Sequence, residues 1–220
     1  MISLRSGETH DWVRWRFINK HEELGDFGER LWSHIFRGCG LRYIKLADLP
    51  AMNGRGPSLQ GDSDETLPDF EISGQQRRAY VDSKCKSGPV MFYKANEMRQ
   101  GVDTRCWESY KTISEIHRQK CILAIAEVFT LCDKQQPSNR EWSGALLMQT
   151  LGRLGPPIKG FSTMDDMVLW PRSRFAEIVP GTSPLRFYGL GTGQVEVDAE
   201  LKERILRVLT APEVIQGRFV

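Results

Sequence analysis

No stretch of this 220-residue chain is apolar for long enough to cross a bilayer. The longest uninterrupted apolar run, Cys121 to Ala126, is six residues, against the ~20 that a spanning helix needs. The opening MISLRSGETHDWVRWRF holds no continuous apolar segment of the kind a secretory leader carries, so a cytoplasmic protein with no membrane partner is expected. Cysteine is scarce: five residues, an odd number, with no CxxC spacing, which points away from a disulfide framework and toward reduced thiols. The four histidines form no HExxH or other paired spacing, which argues against a zinc site. An excess of one charge is also missing. Thirty basic against 28 acidic side chains leave a net charge of +2 and a pI near 8.3, which permits a polyanionic partner without arguing for one. Nothing resembles an interdomain linker, and 40% hydrophobic content is ample for one domain over 1–220. Its expected parts are a core at about 21–129, an N-terminal arm 1–20 and a C-terminal extension 134–220.

What is present concentrates in Leu67 to Lys86, LPDFEISGQQRRAYVDSKCK, where two β-type runs flank a turn at Gly74. Residues two apart on a strand share a face, so Asp82 and Lys84 emerge side by side, as do Asp69 and Glu71 on the preceding run. Paired as a hairpin, the two runs bring acids and a lysine to one end of a sheet. Carboxylate oxygens in that arrangement suit Mg²⁺, and a neighbouring ammonium suits the charge that develops on a phosphate. The other reading is a solvated hairpin face, on which Asp82 and Lys84 are a surface pair worth under ~1 kcal/mol.

The flanks predict alternating layers. Leu24, Phe27, Leu31 and Ile35 fall on one helical stripe between His21 and Cys39, widened by Trp32 and Phe36, and Gly25 and Gly28 would let that helix approach another element closely. Leu41 to Leu46 reads as a strand, and Asp48 to Thr66, rich in Gly, Pro and Ser, as a long loop. A helix is predicted from about Thr104 to Gln119, with Cys106, Tyr110, Ile113 and His117 on one face. The apolar run Cys121 to Phe129 reads as a strand buried on both sides. Ser143 to Leu151 is a strand or short helix, and Met167 to Trp170 another strand. The glycines at 189, 191 and 193 read as an ordinary turn. Asp198 to Leu209 is an amphipathic helix with Asp198 as its cap. Trp12, Trp15 and Phe17, interleaved with Arg14 and Arg16, read as an arm or edge strand packed on the domain.

Pro68-Asp69 followed by Asp82-Ser83-Lys84 resembles the motif of the PD-(D/E)XK, or restriction-endonuclease-like, nuclease superfamily. The predicted order of helix, three strands, helix and strand over 21–129 is similar to its αβββαβ core. The resemblance implies an α/β fold with a central mixed sheet flanked by helices, here with C-terminal strand and helix additions. It also implies Mg²⁺-dependent phosphodiester hydrolysis, with Mn²⁺ able to substitute. DNA is the expected nucleic-acid partner, cut endonucleolytically as in restriction, defence or junction resolution, and a homodimer is the expected assembly. Asp69 and Asp82 would bind metal, and Glu29 on the first helix would complete the shell or hold a water, the other reading of Glu29 being a solvated acidic face shared with Glu22 and Asp26. Lys84 would position or help deprotonate the attacking water and neutralise phosphate charge. Glu71 competes with Asp69 as ligand. Tyr110, Lys86, Lys94, Arg77 and Arg78 are the candidates for substrate contact. His117 also matches by position, although a satisfied core histidine is the expectation there. The alternative is a catalytically inactive nucleic-acid-binding or assembly protein on the same fold.

Overall fold

The computed structural model describes residues 25–46, 66–73, 78–86, 88–130, 141–160, 164–180, 185–188 and 196–212. The N-terminal arm, most of the 48–66 segment, the Gly74 turn with Arg77, and the glycines at 189–193 lie outside them. Helix α1 covers 25–38. Strands β1 (Arg42–Lys45), β2 (Phe70–Ser73) and β3 (Arg78–Lys86) follow, then β4 (Val90–Phe92), β5 (Glu97–Asp103), helix α2 (Thr104–His117) and strand β6 (Lys120–Thr130). After these come β7 (Glu141–Thr150), the one-turn α3 (Leu151–Leu154), β8 (Ile158–Lys159), β9 (Met167–Pro171), β10 (Ala176–Val179), β11 (Leu185–Tyr188) and α4 (Ala199–Thr210). The helix, three strands, helix and strand expected over 21–129 are all present. Between the third strand and the second helix, however, the chain inserts the β4–β5 hairpin.

Two sheets result. The larger runs β1-β2-β3-β6-β7-β10, with β11 also on β7, and it is mixed: β3 and β6 are parallel while the remaining neighbours are antiparallel. The smaller is antiparallel in the order β4-β5-β9-β8, so β9 belongs to a different sheet from β6 and β7. The ambiguous 143–151 segment is strand β7. It pairs with β6 over nine residues of that strand, Ile122 to Thr130, too extensive a ladder for a short helix to replace.

Each face of the large sheet has its own apolar cover. On one side, Phe27, Leu31, Trp32, Ile35 and Phe36 of α1 and Leu201, Ile205 and Val208 of α4 pack on Phe70, Ile72, Val81, Ile122 and Ala124. Burying side chains of this size is worth ~1.5–3 kcal/mol each. Gly28 lets α1 sit close, since a Cβ there would come 2.9 Å from the Cβ of Cys85, whereas Gly25 faces open space. The α4 start is capped as expected, Asp198 Oδ1 accepting from Leu201 N at 2.7 Å. On the other side, Tyr110 and Ile113 of α2, with Val168 and Trp170 of the small sheet, cover Tyr80, Leu123 and Ile125. Gly101 permits the β5–β9 contact, because a Cβ there would fall 2.0 Å from the Val168 carbonyl oxygen. His117 departs from expectation: it is exposed at the last turn of α2, with its ring edge-on to Tyr80 at 6.0 Å between centroids.

Among the described residues, no helix is long and apolar enough to cross a membrane.

Candidate metal and phosphate site

Strand β3 pairs with β2 so that Phe70 faces Val81 and Glu71 faces Tyr80. Asp69 lies in the bend just before β2, one residue past the last ladder pair, where its carboxyl interacts electrostatically with Asp82 and Lys84. Asp69 is held there twice. Its carbonyl accepts from Leu46 N at 2.8 Å, and its carboxylate Oδ2 accepts from both Ser83 N and Ser83 Oγ at 2.7 Å. Burial and the neighbouring Asp82 raise the pKa of the Asp69 carboxyl, while Lys84 and the two Ser83 bonds pull it partly back.

Asp82 is 2% exposed. Its Oδ1 accepts from Lys84 Nζ at 2.7 Å and from the Tyr110 hydroxyl at 2.5 Å. Its Oδ2 is buried with no hydrogen-bond partner among the described residues. Leaving a buried polar atom unsatisfied costs ~1–3 kcal/mol, and more when the group is charged. Burial alone would lower the Lys84 pKa, but Asp82, Asp69 and the bond to Asp82 outweigh it and raise it above the ordinary lysine value. The carboxylates around Lys84 thus favour its charged form, which suits charge neutralisation. Burial and Asp82 likewise raise the Tyr110 pKa, keeping its hydroxyl a donor.

This donor set fits a hard divalent cation. Mg²⁺ is commonly held by one or two carboxylates, the rest of its octahedron being water and substrate phosphate. A carboxylate oxygen of Asp82 without a partner among the described residues, with the Asp69 carboxyl in electrostatic range, offers that much. Among the described residues no cluster of three or more His, Cys, Asp and Glu side chains is placed to hold an ion.

The other sequence candidates scatter. Glu29 ion-pairs with Lys45 of β1 at 2.7 Å. Glu71 and Arg78 meet each other at 3.4 Å, Glu71 opposite Tyr80 and Arg78 at the start of β3. Lys94 is exposed in the turn between β4 and β5, and Arg77 lies outside the described residues. Lys86 follows Lys84 on the same face of β3. Tyr110, a candidate for substrate contact, spends its hydroxyl on Asp82.

Sequence reading missed three contributors. Ser83, in the middle of the motif, anchors Asp69. Asp103 and Cys106, at the start of α2, act electrostatically on Lys86, and Cys106 also on Lys84. Cys106 was visible four residues before Tyr110 on the same helical face. Gln100, Glu127 and Arg172 form a polar cluster beyond Lys86, and nothing local links residues so far apart in the chain.

No protein-family model and no curated protein matches this sequence. Among solved structures, the chain has a remote likeness in fold to Hjc, a Holliday junction resolvase of the archaeal hyperthermophile Archaeoglobus fulgidus. The identity is 11%, the TM-score 0.40, and the match covers 69% of this chain and 91% of that one.

Proposed function

We propose that this chain hydrolyses phosphodiester bonds in nucleic acid, with DNA as its substrate and Mg²⁺ or Mn²⁺ as its cofactor. The observation that carries this reading is the buried Oδ2 of Asp82, unsatisfied among the described residues, on a carboxylate that is bound to Lys84 and acts electrostatically on Asp69. A merely structural ion pair in that position would leave a buried carboxylate oxygen uncompensated, which a fold without a use for it tends to avoid. Asp82 and Asp69 are the residues that would hold the cation. When bound, the cation would polarise the phosphate and lower the pKa of a coordinated water.

The chain's own groups divide the remaining work. Tyr110 and Lys84 fix Oδ1 of Asp82, so that Oδ2 is the oxygen turned to the ligand. Ser83 fixes Asp69 in the same way. Lys84, its charged form favoured by these carboxylates, neutralises charge on the phosphate oxygens as the phosphorus is attacked. Glu29 and Glu71 are engaged by Lys45 and Arg78 and have no part in this reading.

The test is incubation of the purified chain with branched, duplex and single-stranded DNA in Mg²⁺, beside Lys84→Ala and Asp82→Ala variants shown by circular dichroism to be folded. Cleavage by the wild type that chelator and both substitutions abolish is expected. Full activity in either variant would refute it, and binding without cleavage that ignores chelator would favour an inactive nucleic-acid-binding protein.

A further inference from the structure

Lys84 and Lys86 stand on the same face of β3, about 7 Å apart at Cα as strand geometry requires, yet their surroundings differ. Lys84 is bound to Asp82 at 2.7 Å. Lys86 has no hydrogen bond or ion pair among the described residues. Its register partner across the parallel β3–β6 pair is Glu127, a buried carboxylate that would be its natural counter-ion. Both oxygens of Glu127 are already taken. Oε1 accepts from Gln100 Nε2 at 2.6 Å and Arg172 Nε at 3.0 Å, and Oε2 accepts from the same Arg172 Nε at 2.9 Å, with the Arg172 terminal nitrogen also at 2.9 Å. Arg172 is itself shared with Glu177. The Gln100–Glu127–Arg172 cluster thus ties β5 and the turn after β9 to the large sheet while leaving the Lys86 ammonium unclaimed.

An unclaimed, half-buried cation one strand period beyond Lys84 and two beyond Asp82 calls for an anion from outside the chain. In an in-line displacement at phosphorus the entering and leaving oxygens lie on opposite sides, and a second cation offset along the strand from Lys84 is spaced to reach the leaving side. We propose, resting on the hydrolytic reading above, that Lys86 is the general acid of this reaction: its Nζ meets the sugar oxygen that departs from phosphorus. Water adds to phosphorus, and the bond from phosphorus to the sugar oxygen breaks. The electron pair of that bond stays on the oxygen, which takes a proton from the Lys86 ammonium. The proton of the attacking water passes to solvent, and Lys86 is reprotonated from solvent. The groups acting on Lys86 suit the role. Burial lowers its pKa, Asp103 opposes this, Lys84 adds to it, and Asp82 and Cys106 oppose it, with a net value below the ordinary lysine. The result is a stronger acid than a free lysine.

The test compares two substrates cut at one mapped position: ordinary DNA, and the same DNA with sulfur in place of the departing oxygen, whose thiolate leaves without a proton. Lys86→Met should cleave the ordinary ester about 10²–10⁴-fold more slowly than wild type, a span typical of a lost general acid, and the sulfur ester within about tenfold of it. Lys86→Arg keeps the charge but cannot give up a proton, so it should show the same split. Melting temperature and Mn²⁺ affinity should stay at wild-type values in both. Equal losses on the two esters, or wild-type rates on the ordinary one, overturn the assignment of Lys86 and leave the hydrolytic reading standing. A wild type that cleaves neither substrate overturns both.

Discussion

The two faces of β3 are a natural comparison, because one nine-residue strand supplies both. Ala79, Val81 and Cys85 point beneath α1 into an apolar layer, interrupted on that face by Ser83, whose hydroxyl holds Asp69. Tyr80, Asp82, Lys84 and Lys86 point to the α2 side, where the layer turns from apolar to charged as the strand runs toward its carboxyl end. The same step along the backbone that buries the Cys85 thiol and pushes its pKa up to about 12 sets its neighbours Lys84 and Lys86 among carboxylates. A period of two lets a single strand hold stability on one side and chemistry on the other, and a one-residue slip would exchange them.

The largest effect should come from breaking the apolar side. Phe70 is fully buried and packs edge-to-face on Phe36 and Tyr43. Phe70→Ala should cost about 3–5 kcal/mol in urea unfolding, as truncation of a packed aromatic does. A loss below about 1 kcal/mol, the size expected of a surface change, would deny that this face is the stabilising one.

A smaller effect of opposite sign is expected on the charged side. The folded-state pKa of Asp69 lies above its unfolded value, because burial and Asp82 disfavour the carboxylate. The stability that goes with its protonation is therefore fully present below the unfolded pKa and lost as pH rises through the folded one. Asp69→Asn, which cannot ionise, should match the wild type in unfolding free energy in mild acid and exceed it at neutral pH without divalent cation. A constant difference across that range would mean that Asp69 is not strained by its surroundings.

Much of this division was legible in the sequence, for local reasons. The apolar stripe of α1, the alternation of β3, the unbroken apolar run of β6 and the Asp198 cap are short-range patterns, and each produced the element it predicted. The β4–β5 hairpin was not legible. Val90–Phe92 is three residues long, and β5 carries a glycine whose justification is the carbonyl of Val168, 67 positions away. The expected glutamate of the site shows the same limit: a helical wheel puts Glu29 beside the apolar arc, but only the packing of α1 over β1 reveals Lys45 as its partner. Asp69, Asp82 and Lys84 could be named because strand period and motif agree on them. The bonds that aim them, from Ser83 and Tyr110, and the cluster that isolates Lys86, depend on register and on contacts between sheets.

The most direct measurement is a thermal melt with and without Mg²⁺ or Mn²⁺, on the wild type and on Asp82→Asn. A ligand that binds only the folded chain raises its melting temperature, so the wild type should gain stability with the cation and Asp82→Asn should not. An equal gain in both proteins, or none in the wild type, would contradict the claim that the free oxygen of Asp82 is a metal ligand.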